Sequence, residues 1–166
     1  MVFSKQGNIH QLSAKIQLPI GIEKAWEFLS DPRNLKLITP AYMGFHITSE
    51  LTNVMYDGQI ISYKVSPLLG IKLNWVTEIS NVNEPHYFVD DQRFGPYALW
   101  HHKHFLKKID NGVEMMDIVH YKLPMSLVSN RFHRYLVKPK LTEIFAFRSR
   151  KLNELFGFYD DSQEGV

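Results

Sequence analysis

The chain contains no cysteine, which excludes a disulfide framework and thiolate chemistry and fits a reducing compartment. No segment approaches the roughly 20 apolar residues that a membrane span requires. The stretch Met1–Gly7 carries no apolar run of signal-peptide length. One-sided charge is missing too: a formal net charge of +2 over 166 residues gives no footprint for nucleic acid. Internal repeats, low-complexity tracts and linkers are likewise absent. These absences predict one cytoplasmic domain over residues 1–166, ordered over about 8–157 with an acidic, frayed tail at 158–166. Nucleic-acid binding and stable membrane insertion are not expected.

What the chain does have is an aromatic share of 13%, concentrated in strand-like segments. Ile9–Leu18 alternates, with Leu12, Ala14, Ile16 and Leu18 in one phase, and reads as a strand. Ile22–Leu29 has helical spacing through Ile22, Trp26 and Leu29. Asp31-Pro32 is an N-cap followed by proline at the first helical position, which starts a short helix from Pro32 to about Ile38. Six strands follow, at Gly44–Leu51, Gln59–Val65, Ile71–Val82, Tyr87–Phe94, Ala98–Ile109 and Val113–Leu123, separated by Gly, Pro, Asp and Asn turns. Short connections imply an antiparallel meander. Asn130–Phe156 returns to a helical period, with the stripe Leu141, Ile144, Phe145, Leu152, Leu155 and Phe156. Pro139 is expected to kink or divide this segment and Gly157 to stop it.

The fold class these elements predict is α+β: a curved antiparallel sheet of about seven strands wrapped around a long C-terminal helix. If the helix rests on the rim of the concave face, a cavity remains beneath it. Alternation puts Trp100, His102, His104 and Leu106 on one face of their strand, Asp117, Val119, Tyr121 and Leu123 on one face of the next, and Phe88, Asp90, Gln92 and Phe94 on another. Leu73, Trp75, Thr77 and Ile79 also share a face. Adjacent strands then bring Gln92, Trp100, His102, His104 and Asp117 together, with the proviso that a one-residue bulge inverts part of the pattern.

Buried imidazoles need partners. Four readings of the cluster stay open on the residues alone. It is an internal network in which Asp117 fixes a histidine tautomer, or the polar end of a ligand pocket. It is a His–Asp acid–base pair, with His102, His104 and Asp117 as the candidates and no nucleophile or oxyanion site to complete a mechanism. Or it is a two-His, one-carboxylate metal site, which the long C-terminal helix argues against by setting the chain apart from cupin-like folds. No metal or cofactor is therefore expected. Among lesser features, Met115-Met116 is pocket packing or core filler, and Ser66-Pro67-Leu68-Leu69-Gly70 lids a cavity mouth or packs under the first helices. The basic residues Arg131, Arg134, Lys138, Lys140, Arg148, Arg150 and Lys151 form a solvated helix face or one that touches anionic membrane.

Several motifs together carry a family resemblance. They are Ala25-Trp26-Glu27-Phe28-Leu29-Ser30-Asp31-Pro32-Arg33-Asn34-Leu35 with Ile38-Thr39-Pro40, and Phe88-Val89-Asp90-Asp91-Gln92. Gly95-Pro96-Tyr97 followed by Trp100-x-His102-x-His104, and Asp117-x-Val119-x-Tyr121-x-Leu123-Pro124, complete the set. Over nearly its whole length the chain resembles the SRPBCC superfamily of helix-grip proteins, which includes START-type lipid-transfer domains and the birch-pollen allergen group. More narrowly it is similar to its polyketide-cyclase/dehydrase-like ligand-binding subgroup, some members of which accompany domains labelled cell-division inhibitor. The resemblance implies a deep, mostly apolar cavity for a small hydrophobic or amphipathic molecule. The expected wall is Trp75, Phe88, Phe94, Tyr121, Phe132, Ile144 and Phe145, and the expected polar end is Gln92, Trp100, His102, His104 and Asp117. Two alternatives stand beside ligand binding: a cyclase, dehydratase or hydrolase using a His–Asp pair, and a regulatory or interaction module related to cell division. The expected state is a monomer or weak homodimer.

Overall fold

The computed structural model describes residues 1–66, 70–124 and 130–160. Strand β1 (Val2–Gln6) and strand β2 (Ile9–Leu18) form a hairpin, and helix α1 (Ile22–Ser30) follows. Two 3₁₀ turns (Pro32–Lys36 and Ala41–Met43) lead to β3 (His46–Ile47), β4 (Gln59–Val65), β5 (Leu73–Asn83), β6 (Tyr87–Phe94), β7 (Leu99–Ile109) and β8 (Gly112–Lys122). The chain ends in α2 (Asn130–Phe132), a π-helical turn (His133–Val137) and α3 (Lys138–Phe156).

All pairings are antiparallel, in the order β1-β2-β8-β7-β6-β5-β4-β3. The second strand thus lies beside the last, and the segment containing α1 carries the chain to the far edge. This is an α+β helix-grip architecture with eight strands rather than the expected seven. The additional strand is β1, a mostly exposed edge whose residues show too little apolar alternation to announce a strand. The expected strand Gly44–Leu51 contracts to the two residues of β3.

Local chemistry sets the punctuation. The Asp31 carboxylate accepts from Arg33 N–H at 3.0 Å, capping the turn that Pro32 opens, although the turn is 3₁₀ rather than α-helical. Pro139 sits in the first turn of α3, where its missing N–H is harmless, and the irregularity falls just before it as the π-turn. Gly157 ends α3 at φ 96°, a conformation that side-chain-bearing residues rarely adopt, and its N–H donates to the Asn153 carbonyl at 2.8 Å.

Two apolar clusters fill the concave side. Ile22, Ala25, Trp26 and Leu29 of α1 pack with Leu18, Phe88, Leu106, Val113, Met115 and Leu152, so Met115 is core filler. Leu12, Ala14, Val119, Tyr121 and Leu123 pack with Val137, Leu141 and Phe145 from the C-terminal helical region. Leu155, expected in the helix stripe, is half exposed. The expected lid at 66–70 and the tail end at 161–166 fall wholly or largely outside the described residues.

Candidate functional site

A pocket of about 180 Å³ lies between the sheet and α3. Its aromatic side is built by Phe45, Tyr63, Trp75, Tyr97, Trp100 and Phe145. Trp75 meets Trp100 edge to face at 5.4 Å, and Tyr97 packs on Trp100 at 4.8 Å. Two polar handles of this wall are satisfied within it. Trp75 Nε1 donates to Thr77 Oγ1 at 3.0 Å, and Tyr63 Oη lies 2.8 Å from the same hydroxyl.

At the other side Asp90, His102, His104 and Arg148 reach the pocket. Strand register explains the cluster: Asp90 lies opposite His102, and His104 opposite Asp117. The two imidazoles, 3.7 Å apart between centroids, are bracketed by carboxylates. On one side, Asp90 Oδ2 is 2.8 Å from His104 Nε2 and 3.5 Å from His102 Nδ1. On the other, Asp117 Oδ1 is 2.8 Å from His104 Nδ1, 3.1 Å from His102 Nε2 and 3.3 Å from Arg148 Nη2. Phe88 stacks on His104 at 4.2 Å and limits how far that ring can turn.

Burial alone would favour neutral carboxyls and neutral imidazoles. It raises Asp117, but Arg148 and the two histidines outweigh it and hold that carboxyl well below the usual range. Asp90 is also held low: burial opposes its ionisation, and His102, His104 and Arg148 overcome that. The histidines separate. His104 resists burial through its bonds to Asp117 and Asp90 and moves up, whereas burial followed by the charge of His104 moves His102 down. With Asp90 and Asp117 ionised and Arg148 cationic, one proton shared by the histidine pair makes the cluster neutral.

The sequence-derived residues divide accordingly. Trp75, Phe88, Trp100, His102, His104, Ile144 and Phe145 line the pocket. Asp117 sits behind the histidines as their partner. Tyr121 is fully buried in the second apolar cluster, where its hydroxyl pairs with His133 Nε2 at 2.7 Å, and Phe132 packs at the edge of that cluster.

Tyr121 and Phe132 therefore stand outside the expected pocket wall, and Gln92 and Phe94 leave the expected site as well. Gln92 is spent on a turn: its amide nitrogen donates to the Tyr97 carbonyl at 2.7 Å and its oxygen accepts from Tyr97 N–H at 3.2 Å. A Cβ on Gly95 would stand 2.5 Å from that oxygen, so glycine makes room for the clasp. Phe94 is 64% exposed. The register passes from Thr77↔Gln92 to Val76↔Phe94, skipping Arg93, and this bulge turns Phe94 to the outer face.

Phe45, Tyr63 and Tyr97 of the wall were not anticipated, and of the polar cluster two residues were missed, each of which left a signal. Asp90 shares the strand phase of Phe88. Arg148, assigned to a basic solvated face, falls in the series Leu141, Phe145, Arg148, Leu152, the buried stripe of α3.

The fold and the site together define a helix-grip protein with a charge-balanced polar cluster beside an aromatic pocket. No family model matches the chain, and no curated protein matches its sequence. Solved structures do resemble it. The ginseng major latex-like protein 151 from Panax ginseng superposes with a TM-score of 0.67 at 12% identity, covering 90% of this chain and 99% of that one. Protein Ms6760 from Mycobacterium smegmatis gives 0.64 at 15% identity, covering 93% and 96%. A protein from Rhodobacter sphaeroides gives 0.66 at 14% identity, covering 93% and 95%. At these identities the likeness establishes the helix-grip fold alone and lends nothing to the cell-division connection. Among the described residues, no helix is long and apolar enough to cross a membrane.

Proposed function

We propose that the protein binds a small, flat amphipathic molecule, a one-ring or compact two-ring aromatic bearing an oxygen function. The observation that carries this reading is the pairing of an aromatic wall with a buried His–Asp–Arg cluster in one pocket of about 180 Å³. An apolar cavity of about 150 Å³ is enough to take up benzene. The pocket therefore suits a substituted ring and is too small for a long acyl chain, which argues against lipid transfer. Trp75 and Trp100 supply the rigid edges of the slot, and the polar cluster supplies donors and acceptors for the oxygen. Charge balance within the cluster favours a neutral or singly charged head over a polyanion.

The test uses phenol, indole and 4-hydroxybenzoate as probes, with oleate as the contrast, followed by tryptophan fluorescence and calorimetry. At least one ring compound is expected to bind saturably and oleate is not. Ile144→Trp, which fills the pocket from α3, is expected to weaken that binding at least tenfold. Absence of saturable ring binding, or equal binding by Ile144→Trp, overturns the reading.

A further inference from the structure

Asp90, His102 and His104 present three donor atoms of the metal-ligating kind, mutually within 4.8 Å. We infer that they form a binding site for a divalent first-row transition ion of the Zn²⁺ or Fe²⁺ type. This goes beyond the ring-binding reading and does not depend on it.

The first support is spacing. Nitrogen and oxygen ligands about 2.1 Å from a tetrahedral ion stand about 3.4 Å from one another. Asp90 Oδ2 lies 2.8 Å from His104 Nε2 and 3.5 Å from His102 Nδ1, so its two separations bracket that value, and all three donor atoms lie within 4.8 Å of one another. All three side chains are anchored on two neighbouring strands, β6 and β7, rather than on loops. Little movement is needed to gather them.

The second support comes from Asp117. A histidine that binds a metal through one ring nitrogen is typically fixed by a carboxylate or carbonyl at the other. Here the nitrogens facing away from Asp90 both point to Asp117: His102 Nε2 at 3.1 Å and His104 Nδ1 at 2.8 Å. Arg148 Nη2, 3.3 Å from Asp117, holds that carboxylate in turn. The guanidinium therefore braces the carboxylate behind the rings, and Asp90 supplies the anionic ligand in front of them. Both histidines are buried and already turned to the required side, so little side-chain entropy remains to be lost on binding.

The third support is access. Asp90, His102 and His104 line the pocket, with Arg148 beside them, whereas Asp117 does not, so the ligand set opens towards the cavity. Three protein ligands leave coordination positions for water or for an oxygen of a pocket-bound molecule. Neutral imidazole, carboxylate and open oxygen positions favour Zn²⁺ or Fe²⁺ over Ca²⁺, which takes six to eight oxygens.

Chelator-treated full-length protein should be titrated with Co²⁺ and with Zn²⁺. The expected result is one ion per chain, visible absorption bands of four- or five-coordinate Co²⁺, and displacement by Zn²⁺. Asp90→Asn and His104→Gln should each weaken binding at least tenfold, and Asp117→Asn by 10–100-fold through the second nitrogens. His10→Gln should leave binding unchanged, which separates this site from the histidine pair that His10 forms with His133, ring centroids 3.7 Å apart. X-ray absorption of the Zn²⁺-loaded wild type should show a first shell of two imidazoles plus oxygens, and this holds the inference to account even if a variant fails to fold. An octahedral aquo-type Co²⁺ spectrum, a zinc shell without two imidazoles, or loss of binding in His10→Gln instead of His104→Gln overturns it. Ring binding by metal-free protein tests the preceding section separately.

Discussion

His102 and His104 on β7 stand with ring centroids 3.7 Å apart, and so do His10 on β2 and His133 in the π-turn. The inner pair lies between Asp90 and Asp117, with Arg148 paired to Asp117. The outer pair stacks at 11°, with His133 receiving the Tyr121 hydroxyl and feeling the positive charge of Lys138 and Lys5. Ring contact is therefore the same and the consequences differ. Carboxylates let His104 carry a proton despite burial, whereas burial and then the charge of His10, Lys138 and Lys5 depress His133 to about 4. Burial depresses every one of these rings; carboxylates outweigh it at His104, whereas the charge of the neighbouring ring adds to it at His102 and His133.

The largest expected effect falls on the inner pair. Asp117→Asn removes the anion that both imidazoles and Arg148 share, and breaking a buried ionic group by one partner costs about 3–5 kcal/mol. At ~2–4 °C per kcal/mol for a chain of this size, the melting temperature should fall by roughly 6–20 °C. Arg148→Met added to Asp117→Asn should recover part of the loss, because no unpaired guanidinium then remains buried. A double variant no more stable than Asp117→Asn would place the inner pair on the same footing as the outer one.

A smaller effect is expected at the outer pair, and it depends on pH. The folded-state value of His133 lies below its ordinary 6.5, so the unfolded chain takes up the proton first. Stability from this residue is complete above about 6.5 and is lost as pH falls towards about 4. The loss is about 1–2 kcal/mol once the partial exposure of the ring is allowed for. Subtracting denaturation curves of His133→Leu from those of the wild type at pH 4 to 7 isolates this contribution, and a difference that does not change with pH would break the comparison. Smallest of the three is Tyr121→Phe, which deletes the hydroxyl donor to His133 and should cost about 1 kcal/mol at neutral pH. The acid-side loss should be nearly unchanged in this variant, because protonated His133 can donate from Nε2 to the phenol oxygen and its lowered value comes from burial and positive neighbours. A clearly smaller acid-side loss in the variant would show that the Tyr121–His133 bond itself opposes protonation.

The same contrast marks how far sequence alone reaches. Regular alternation made Trp100, His102, His104 and Asp117 readable as neighbours, because β7 and β8 pair without a register shift. The Asp31-Pro32 cap and the Gly157 stop were legible for a similar reason, since each acts within a turn of its own residue. Phe94 was not, because the bulge at Arg93 is a backbone event that reverses the phase without changing the pattern of residue types. Gln92 fits the inward phase, yet its amide finds the Tyr97 backbone first. Arg148 was hidden by its charge: helical spacing places it on the buried stripe, and only its pairing with Asp117 makes that placement tolerable. The strand β1 left little trace because an exposed edge needs no apolar face.

The sheet order also has a consequence in time. β2 finds one of its two neighbours at once, in β1, but the other is β8, where Gln11 meets a histidine 109 residues further along. During synthesis the β1–β2 hairpin emerges well before β8, and the second edge of β2 stays unpaired until that strand leaves the ribosome. Contacts so distant in the chain make folding slow relative to a local meander and leave the long middle segment to pair before the sheet is sealed. The last strand added is thus the one that closes the molecule, and with Asp117 it brings the final charge to the histidines already in place on β7.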